Sequence, residues 1–400
     1  MATRNTNLHT AVTNKRDEFY TQLSDIENEL KYYRPHFKDK IVLCNCDDPR
    51  VSNFFKYFAL NFELLGLKRL IATCYKNNEP DLFSQHTAEQ AVYIVYEGDK
   101  NGNRVPDPSE MDVLPLKGDG DFRSPECIEL LEQADIVCTN PPFSLFREYV
   151  AQLIHYQKKF LILGNKNAIT YKEIFPLIAS NQIWVGMTPM SREVYFDVPQ
   201  SYIEDALAKN KDRSVIKVGG KYVARSPSIW YTNLDNKKRH EELVLYKTYN
   251  PEDYPKYDNY DAIDVSKVSD IPIDYEGVMG VPITFLDKYC PEQFEIVEFR
   301  KGKDGKDLVY SIRQTDRQTD RQTDRQTRTK LLHRTSGYSS GDADRRTDEQ
   351  PEGYDCEREK PLREDTHSST SIPGMIKNAE GKINGKITYA RVLIRQLTQQ

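Results

Sequence analysis

The chain has 400 residues, 38% of them hydrophobic and 29% charged, with a formal net charge of −5; that is the balance of a soluble globular protein long enough for about two or three domains. No run approaches the ~18 apolar residues of a membrane span, and the opening MATRNTNLHTAVTNKRDEFY has no apolar stretch of a secretory leader. The seven cysteines are scattered without zinc spacing, so reduced thiols, no metal and a cytoplasmic location are expected, while the slight acidity neither advertises nor excludes nucleic acid, because binding needs only a local basic patch.

Residues 1–35 carry Phe19, Leu23, Ile26 and Leu30 at helical spacing, and Pro35 ends the run, which predicts a helix. KIVLCNC (40–46) is a short strand followed by the acidic turn DDPR. NFFKYFALNFELLG (53–66) is a helix closed by Gly66. KRLIATCY and AVYIVYEG are strands, and GDGDFRS (118–124) is a turn. PECIELLEQA is a helix with Ser124 as N-cap and Pro125 behind it. DIVCTN is a strand, FSLFREYVAQLIHY a helix and KFLILGN a strand. TYKEIFPLIASN and IWVGM continue the alternation.

Strands alternating with helices predict an α/β fold whose mostly parallel sheet is covered on both faces. Ligands of such sheets bind beyond the carboxyl ends of the strands. The unusual turns NCDDP, GDGDF, TNPPF and GNKNA all follow or border such an end. From about residue 200 the character changes. KVGGKYVARSPSIWYTNL and ELVLYKTY are strand-like, NPEDYPKYDNYDAIDV has no clean period, and IPIDYEGVMGVPITFLDKY is rich in turn signals. The expected domains are therefore 1–200, 201–312, a polar insertion at 313–372 and a C-terminal segment at 373–400. The insertion begins with the repeat RQTDRQTDRQTDRQT (313–327), and its composition predicts disorder. In KINGKITYARVLIRQ, Asn384-Gly385 signals a hairpin turn and residues 387–394 a strand.

The stretch TNPPF (139–143) answers a specific chemical need. The exocyclic amine of a purine is a poor nucleophile because its lone pair is delocalised into the ring. Two fixed acceptors can hold both N–H bonds and turn the lone pair toward an electrophile. The Asn140 side-chain oxygen is one acceptor. The Pro141 carbonyl is the second, since Pro141 and Pro142 lock the turn and leave carbonyls unpaired. Phe143 offers a flat face on which a base stacks. Taken alone, the motif also fits a proline-rich loop capping the next helix; its place between a strand and a helix favours chemistry.

TNPPF together with DEFYT, GDFRS and NCDDPRVSNFFKYF resembles the adenine-N6 DNA methyltransferases, in particular the modification methylases of restriction–modification systems. The resemblance runs from about residue 14 to 310, through YPKYDNYDAI, DIPIDYEGVMGVPITFL and FRKGKDGKDL, and resumes at INGK. It implies a Rossmann-like class I methyltransferase sheet with a C-terminal target-recognition region. The activity implied is transfer of a methyl group from S-adenosylmethionine to N6 of an adenine flipped from double-stranded DNA, at a GAATTC-like site. The cognate restriction endonuclease is then a separate protein, and the methylase a monomer.

The same resemblance implies cofactor residues. Tyr20 and Thr21 in DEFYT approach the methionine part. Asp47 or Asp48 in LCNCDDP holds its ammonium; that loop lacks the usual glycine, and CYKN after the next strand lacks the usual acid for the ribose. In GDF, Asp121 accepts from the cofactor's adenine amine and Phe122 packs on its ring. YFDVP (195–199) falls where a second wall for the target base is expected, with Phe196 preferred to Tyr195. Each residue also has an ordinary structural use, as core, turn or solvated loop. NKKRH (236–240) is a basic cluster that suits either phosphate contact or a solvated loop. Two other readings remain: a methyltransferase acting on a protein glutamine amide or an RNA base, and an inactive DNA-binding relative. The exact repeat is explained by a four-nucleotide unit, AGAC, all of whose forward frames encode Arg-Gln-Thr-Asp in rotation. Slippage there would alter only the residues downstream of the repeat, which makes the tract a candidate phase-variation switch.

Overall fold

Runs of Val, Ile and Leu with little polar alternation, such as IVLC and IVCT, must be buried on both faces, and they form the middle of the largest sheet. The computed structural model describes residues 20–46, 52–73, 91–103, 106, 110–198, 200–208, 215–258, 261–300, 382–384, 386–387 and 389–397. In chain order its strands are β1 (Tyr20–Thr21), β2 (Ile41–Cys44), β3 (Arg69–Thr73), β4 (Val92–Tyr96), β5 (Met111–Pro115), β6 (Ile136–Thr139), β7 (Lys159–Asn165), β8 (Trp184–Val185) and β9 (Val194–Asp197). They continue as β10 (Val215–Val218), β11 (Lys221–Ser226), β12 (Ser228–Thr232), β13 (Ile263–Asp264), β14 (Met279–Val281), β15 (Phe294–Arg300), β16 (Lys382–Ile383), β17 (Lys386–Ile387) and β18 (Arg391–Gln396).

The central sheet has eight strands in the order β5-β4-β3-β2-β6-β7-β12-β8. Its middle, β3-β2-β6-β7, is parallel, while β4, β5 and β12 run antiparallel to their neighbours. This is the expected α/β layout, with two differences. β5 carries no hydrophobic alternation and sits exposed at an edge, so no sequence pattern announces it. The sheet also does not stop at residue 200, because Ser228–Thr232 lies between β7 and β8 with every residue buried.

Leu23–Leu30 forms the first described helix. Tyr20 and Thr21, expected on a helix, are instead a strand paired with Asp197 and Phe196 of β9. β1-β9-β11-β10 is a separate antiparallel sheet. Gly66 at φ +62° ends the run as expected, but 53–66 is two helices, Asn53–Leu60 and Phe62–Leu65, that part at Asn61, and Ser124 caps Pro125–Gln133 by accepting from the Cys127 N–H. ELVLYKTY is not a strand. The Gln293 side chain takes both the N–H and the carbonyl of Leu243, at 2.7 and 2.8 Å, leaving only an isolated bridge at Lys247.

A third sheet, β13-β14-β18-β15, occupies the C-terminal part. β18 runs antiparallel to both neighbours, and Val392, Leu393 and Ile394 are completely buried. The expected strand near 387–394 is thus present, shifted to Arg391–Gln396, and Asn384 at φ +50° turns the small hairpin β16-β17. Arg391 Nε donates to the buried Asp264 carboxylate at 2.9 Å and ties β18 to β13. The repeat and the rest of 313–372 lie outside the described residues. Among the described residues no helix is long and apolar enough to cross a membrane.

Candidate active site

The parallel strands β2, β3, β6 and β7 end at one edge of the sheet, and TNPPF leaves β6 there. Asn140 is 7% exposed and Pro141 is buried, whereas Phe143 is half-buried. The Pro142 carbonyl accepts from the Leu145 N–H at 3.0 Å and starts a short 3-10 turn, Phe143–Leu145, that feeds the helix Phe146–His155. Among the described residues none donates to the Pro141 carbonyl. Gly164 of β7 lets this helix lie close: a Cβ there would stand 2.4 Å from the Phe146 ring.

Three segments are laced together behind the turn. Thr139 Oγ1 donates to the Asn45 carbonyl, and the Tyr149 hydroxyl donates to the Asn45 side-chain oxygen. Burial pushes the Tyr149 hydroxyl well above its ordinary range, so it stays a donor at any neutral pH. The other side of Tyr149 meets Phe122 edge to face, with centroids 5.0 Å apart. Gln152 Nε2, one turn along the helix, donates to the Phe122 carbonyl at 3.0 Å. Phe122 is therefore held at the same edge as Asn140, with the Arg123 guanidinium 5.3 Å from its ring centroid.

Asp121 is engaged. Arg123 grips its carboxylate with Nε at 2.9 Å and Nη2 at 2.7 Å, the Arg123 N–H adds 2.8 Å, and Arg123 Nη1 reaches Glu148 at 2.8 Å. Burial opposes the Asp121 charge, but the Arg123 contacts outweigh it and hold the carboxyl below the usual carboxylate range. An ionised carboxylate has about four lone-pair sites, so a further donor can still be accepted.

Asn53, at the start of the helix after the β2 loop, donates from Nδ2 to the Thr21 carbonyl at 2.8 Å. That bond brings β1 to the loop after β2. Thr21 is buried, and its Oγ1 has no partner among the described residues. A buried hydroxyl without a partner is the orphan that a polar ligand atom satisfies, so the site fits a methyl donor held at this edge. Cys46, in a loop without glycine, sits at φ +82°. Asp47 and Asp48 lie outside the described residues, as does the CYKN segment, and of Tyr20 only the backbone pairing is described.

Comparison with known proteins agrees with the geometry. Residues 7–397 match the family described as adenine-specific methyltransferase EcoRI. The type II methyltransferase M.EcoRI of Escherichia coli is 54% identical over 303 residues, covering 75% of this chain and 91% of that protein. The type II methyltransferases M.MgeORF184P of Mycoplasma genitalium and M.MpnI of Mycoplasma pneumoniae are 40% and 39% identical over 288 and 287 residues. Each alignment covers 71% of this chain, with 83% and 82% of the respective relative. No solved structure matches the chain. The chain belongs to the EcoRI family of adenine-specific DNA methyltransferases.

Within this methyltransferase Lys238, Arg239 and His240 of the basic cluster are engaged within the fold, while Lys237 is exposed. Lys238 Nζ pairs with Asp287 at 3.0 Å, both half-sheltered, and donates to the Gly186 carbonyl at 3.1 Å. The Arg239 guanidinium lies 3.8 Å from the Trp184 ring centroid. His240 sits between Asp235 and Glu292 at 2.9 and 3.3 Å, which raises its pKa, chiefly through Asp235. These contacts clamp the β8 edge to the segment Ile283–Lys288, a role that composition alone does not reveal. Phe196 is 1% exposed and packs into the core with its partner Thr21, so the strand does not offer its ring to a base; the opposite side of β9 carries half-buried Tyr195. The residues that sequence reasoning missed are Asn45, Thr139 and Tyr149. One signal was available: a tyrosine on the buried stripe Phe146, Tyr149, Val150, Leu153 needs an acceptor for its hydroxyl.

Proposed function

We propose that this methyltransferase transfers the methyl group of S-adenosylmethionine to N6 of an adenine flipped out of double-stranded DNA. The observation that carries the reading is the catalytic turn: Asn140 is held at the carboxyl edge of β6, and the adjacent Pro141 carbonyl has no donor among the described residues. Asn140 Oδ1 and the Pro141 carbonyl accept the two N–H bonds of the target amine. Pro142 and Phe143 fix the turn and stack the base. The work is positioning and electrostatic preorganisation. A base inside the duplex cannot reach this edge, so the adenine leaves the stack.

When bound, S-adenosylmethionine supplies an electrophilic methyl group on a sulfonium. Tyr20, Thr21 and Asp47 or Asp48 hold its amino-acid end, and Phe122 backs its adenine. Asp121 takes the amine of that adenine with the lone pairs Arg123 leaves open. Phe143 is the stacking wall for the target base, and Phe196 supports Thr21 from behind.

Residues 201–312, apart from the strand given to the central sheet, read the DNA site, and a GAATTC-like sequence is the proposed target. The enzyme works as a cytoplasmic monomer, as the modification half of a system whose endonuclease is a separate protein. The four-residue repeat acts as a phase-variation switch; an invariant repeat number, or mixed synonymous codons across the tract in sibling colonies, would leave it a linker. The deciding test of the whole reading is to map methylated adenines in genomic DNA exposed to the protein, with protein and RNA substrates in competition. N6-methyladenine confined to one short duplex sequence is expected; methyl transfer to protein or RNA in preference would overturn it.

A further inference from the structure

The loop after β2 lacks glycine, yet Cys46 occupies the left-handed region at φ +82°, where a side chain is strained. Such a residue persists only when its surroundings over-determine it. The residue before it is held from two directions. The Asn45 carbonyl, part of the peptide that sets the Cys46 conformation, accepts from Thr139 Oγ1, and the Asn45 side-chain oxygen accepts from the Tyr149 hydroxyl. All three residues are buried, so water does not replace either bond. Both donors belong to the catalytic side: Thr139 directly precedes Asn140, and Tyr149 lies on the helix just beyond the turn. Tyr149 also carries the Phe122 ring on its other flank.

We propose that Tyr149 and Thr139 are positioning residues that hold the Asn45–Cys46 corner, where the chain leaves β2 for the loop that follows, in the shape that meets the cofactor, and that they do so from the side of the catalytic turn. The inference rests on the reading of that loop as part of the S-adenosylmethionine site. The two hydroxyls do for this chain what a glycine does in a loop free to take positive φ. One side chain, Tyr149, thereby sets the Asn45–Cys46 corner, the adenine wall and the turn relative to one another.

The test is calorimetric titration of S-adenosylmethionine into the full-length chain. Tyr149→Phe keeps the ring and its packing and removes one hydroxyl; it is expected to weaken affinity about tenfold, the value of a buried acceptor left unpaired. Adding Cys46→Gly to that variant is expected to recover most of the loss, because glycine takes positive φ without the brace. Because the Tyr149 hydroxyl also meets the Cys46 thiol, Cys46→Gly alone is measured beside the pair: it is expected to bind as the unmodified chain does, so that the recovery comes from the backbone and not from the lost thiol contact. If Tyr149→Phe melts early, Thr139→Val removes the other hydroxyl with little change of shape, and the same loss and the same rescue are expected. Unchanged affinity in the folded variants, or failure of Cys46→Gly to restore it, overturns the proposal. Absence of binding by the unmodified chain would instead overturn the cofactor reading on which it rests.

Discussion

The central sheet and the C-terminal sheet both bury their middle strands but are assembled differently. In the central sheet β2, β3, β6 and β7 lie within one contiguous stretch of chain, and the last contributor, β12, ends at Thr232. In the C-terminal sheet the strand between β14 and β15 is β18, which begins at Arg391, although β15 ends at Arg300. The first sheet ends at the edge where we place the chemistry. The second is closed from a distance, and its buried strand is held by packing and by the pair Arg391–Asp264. Proposed chemistry and closure thus draw on different parts of the chain, although both sheets pack into one hydrophobic core.

The largest effect is expected from ending the chain after Thr327. Removing β18 takes away the strand on which both β14 and β15 pair, and loss of the cooperative unfolding transition is the expected outcome in a thermal melt. Excising 313–372 instead retains β18 and is expected to preserve both the melt and methylation. A milder version of the same cut, Ile394→Ala, is expected to cost about 2–5 kcal/mol in denaturant titration. A truncated chain as stable as the full one would remove the distinction between the two sheets.

On the chemical side, Asn140→Ala is expected to lower methyl transfer by at least about 10²–10³-fold, the scale of losing one preorganised polar group. Duplex binding should survive, since phosphate and groove contacts come mainly from elsewhere; gel-shift and tritium-transfer measurements separate the two. Phe143→Ala is expected to weaken capture of the flipped base by ~1–3 kcal/mol, read from the fluorescence of 2-aminopurine at the target position. The smallest effect concerns Asp121. Its folded pKa is depressed, so its contribution to stability is present above the unfolded value of about 4 and is lost as pH falls through the lower folded value. Asp121→Asn should therefore reduce stability slightly at neutral pH and flatten its fall below about pH 4. An unchanged acid limb would mean that the Arg123 grip is not sensed by the fold.

Much of the central sheet was legible because its signals are local. Ser124-Pro125 starts a helix, Gly66 ends one, and IVLC, RLIAT and IVCT are continuous apolar runs. Thr139–Phe143 was legible as a turn at a strand end, and the chemistry we propose for it was read from an amide followed by two prolines. What stayed hidden depends on partners remote in sequence. β1 forms because β9 supplies its hydrogen bonds, β12 crosses into the central sheet from beyond the expected boundary, and Leu243 is kept out of a strand by Gln293. The Lys238, Arg239 and His240 cluster looked available to phosphate because charge is visible in a sequence and the partners Asp287, Trp184 and Asp235 are not. The Asn45 brace was invisible for the same reason, although Tyr149 in a buried stripe was a clue.

The late position of β18 orders events during synthesis. Every strand of the central sheet has left the ribosome once Thr232 has emerged, so the catalytic edge can form while the rest of the chain is still being made. β14 and β15 emerge soon after, each with an unpaired edge, and must wait until Arg391–Gln396 has followed. A nascent chain therefore carries a template for strand addition during that interval, and a product that stops early carries it permanently. Such a product would be cleared by proteolysis or lost to aggregation rather than persist as a half-active enzyme, so β18 serves as a check that the message was read at least that far.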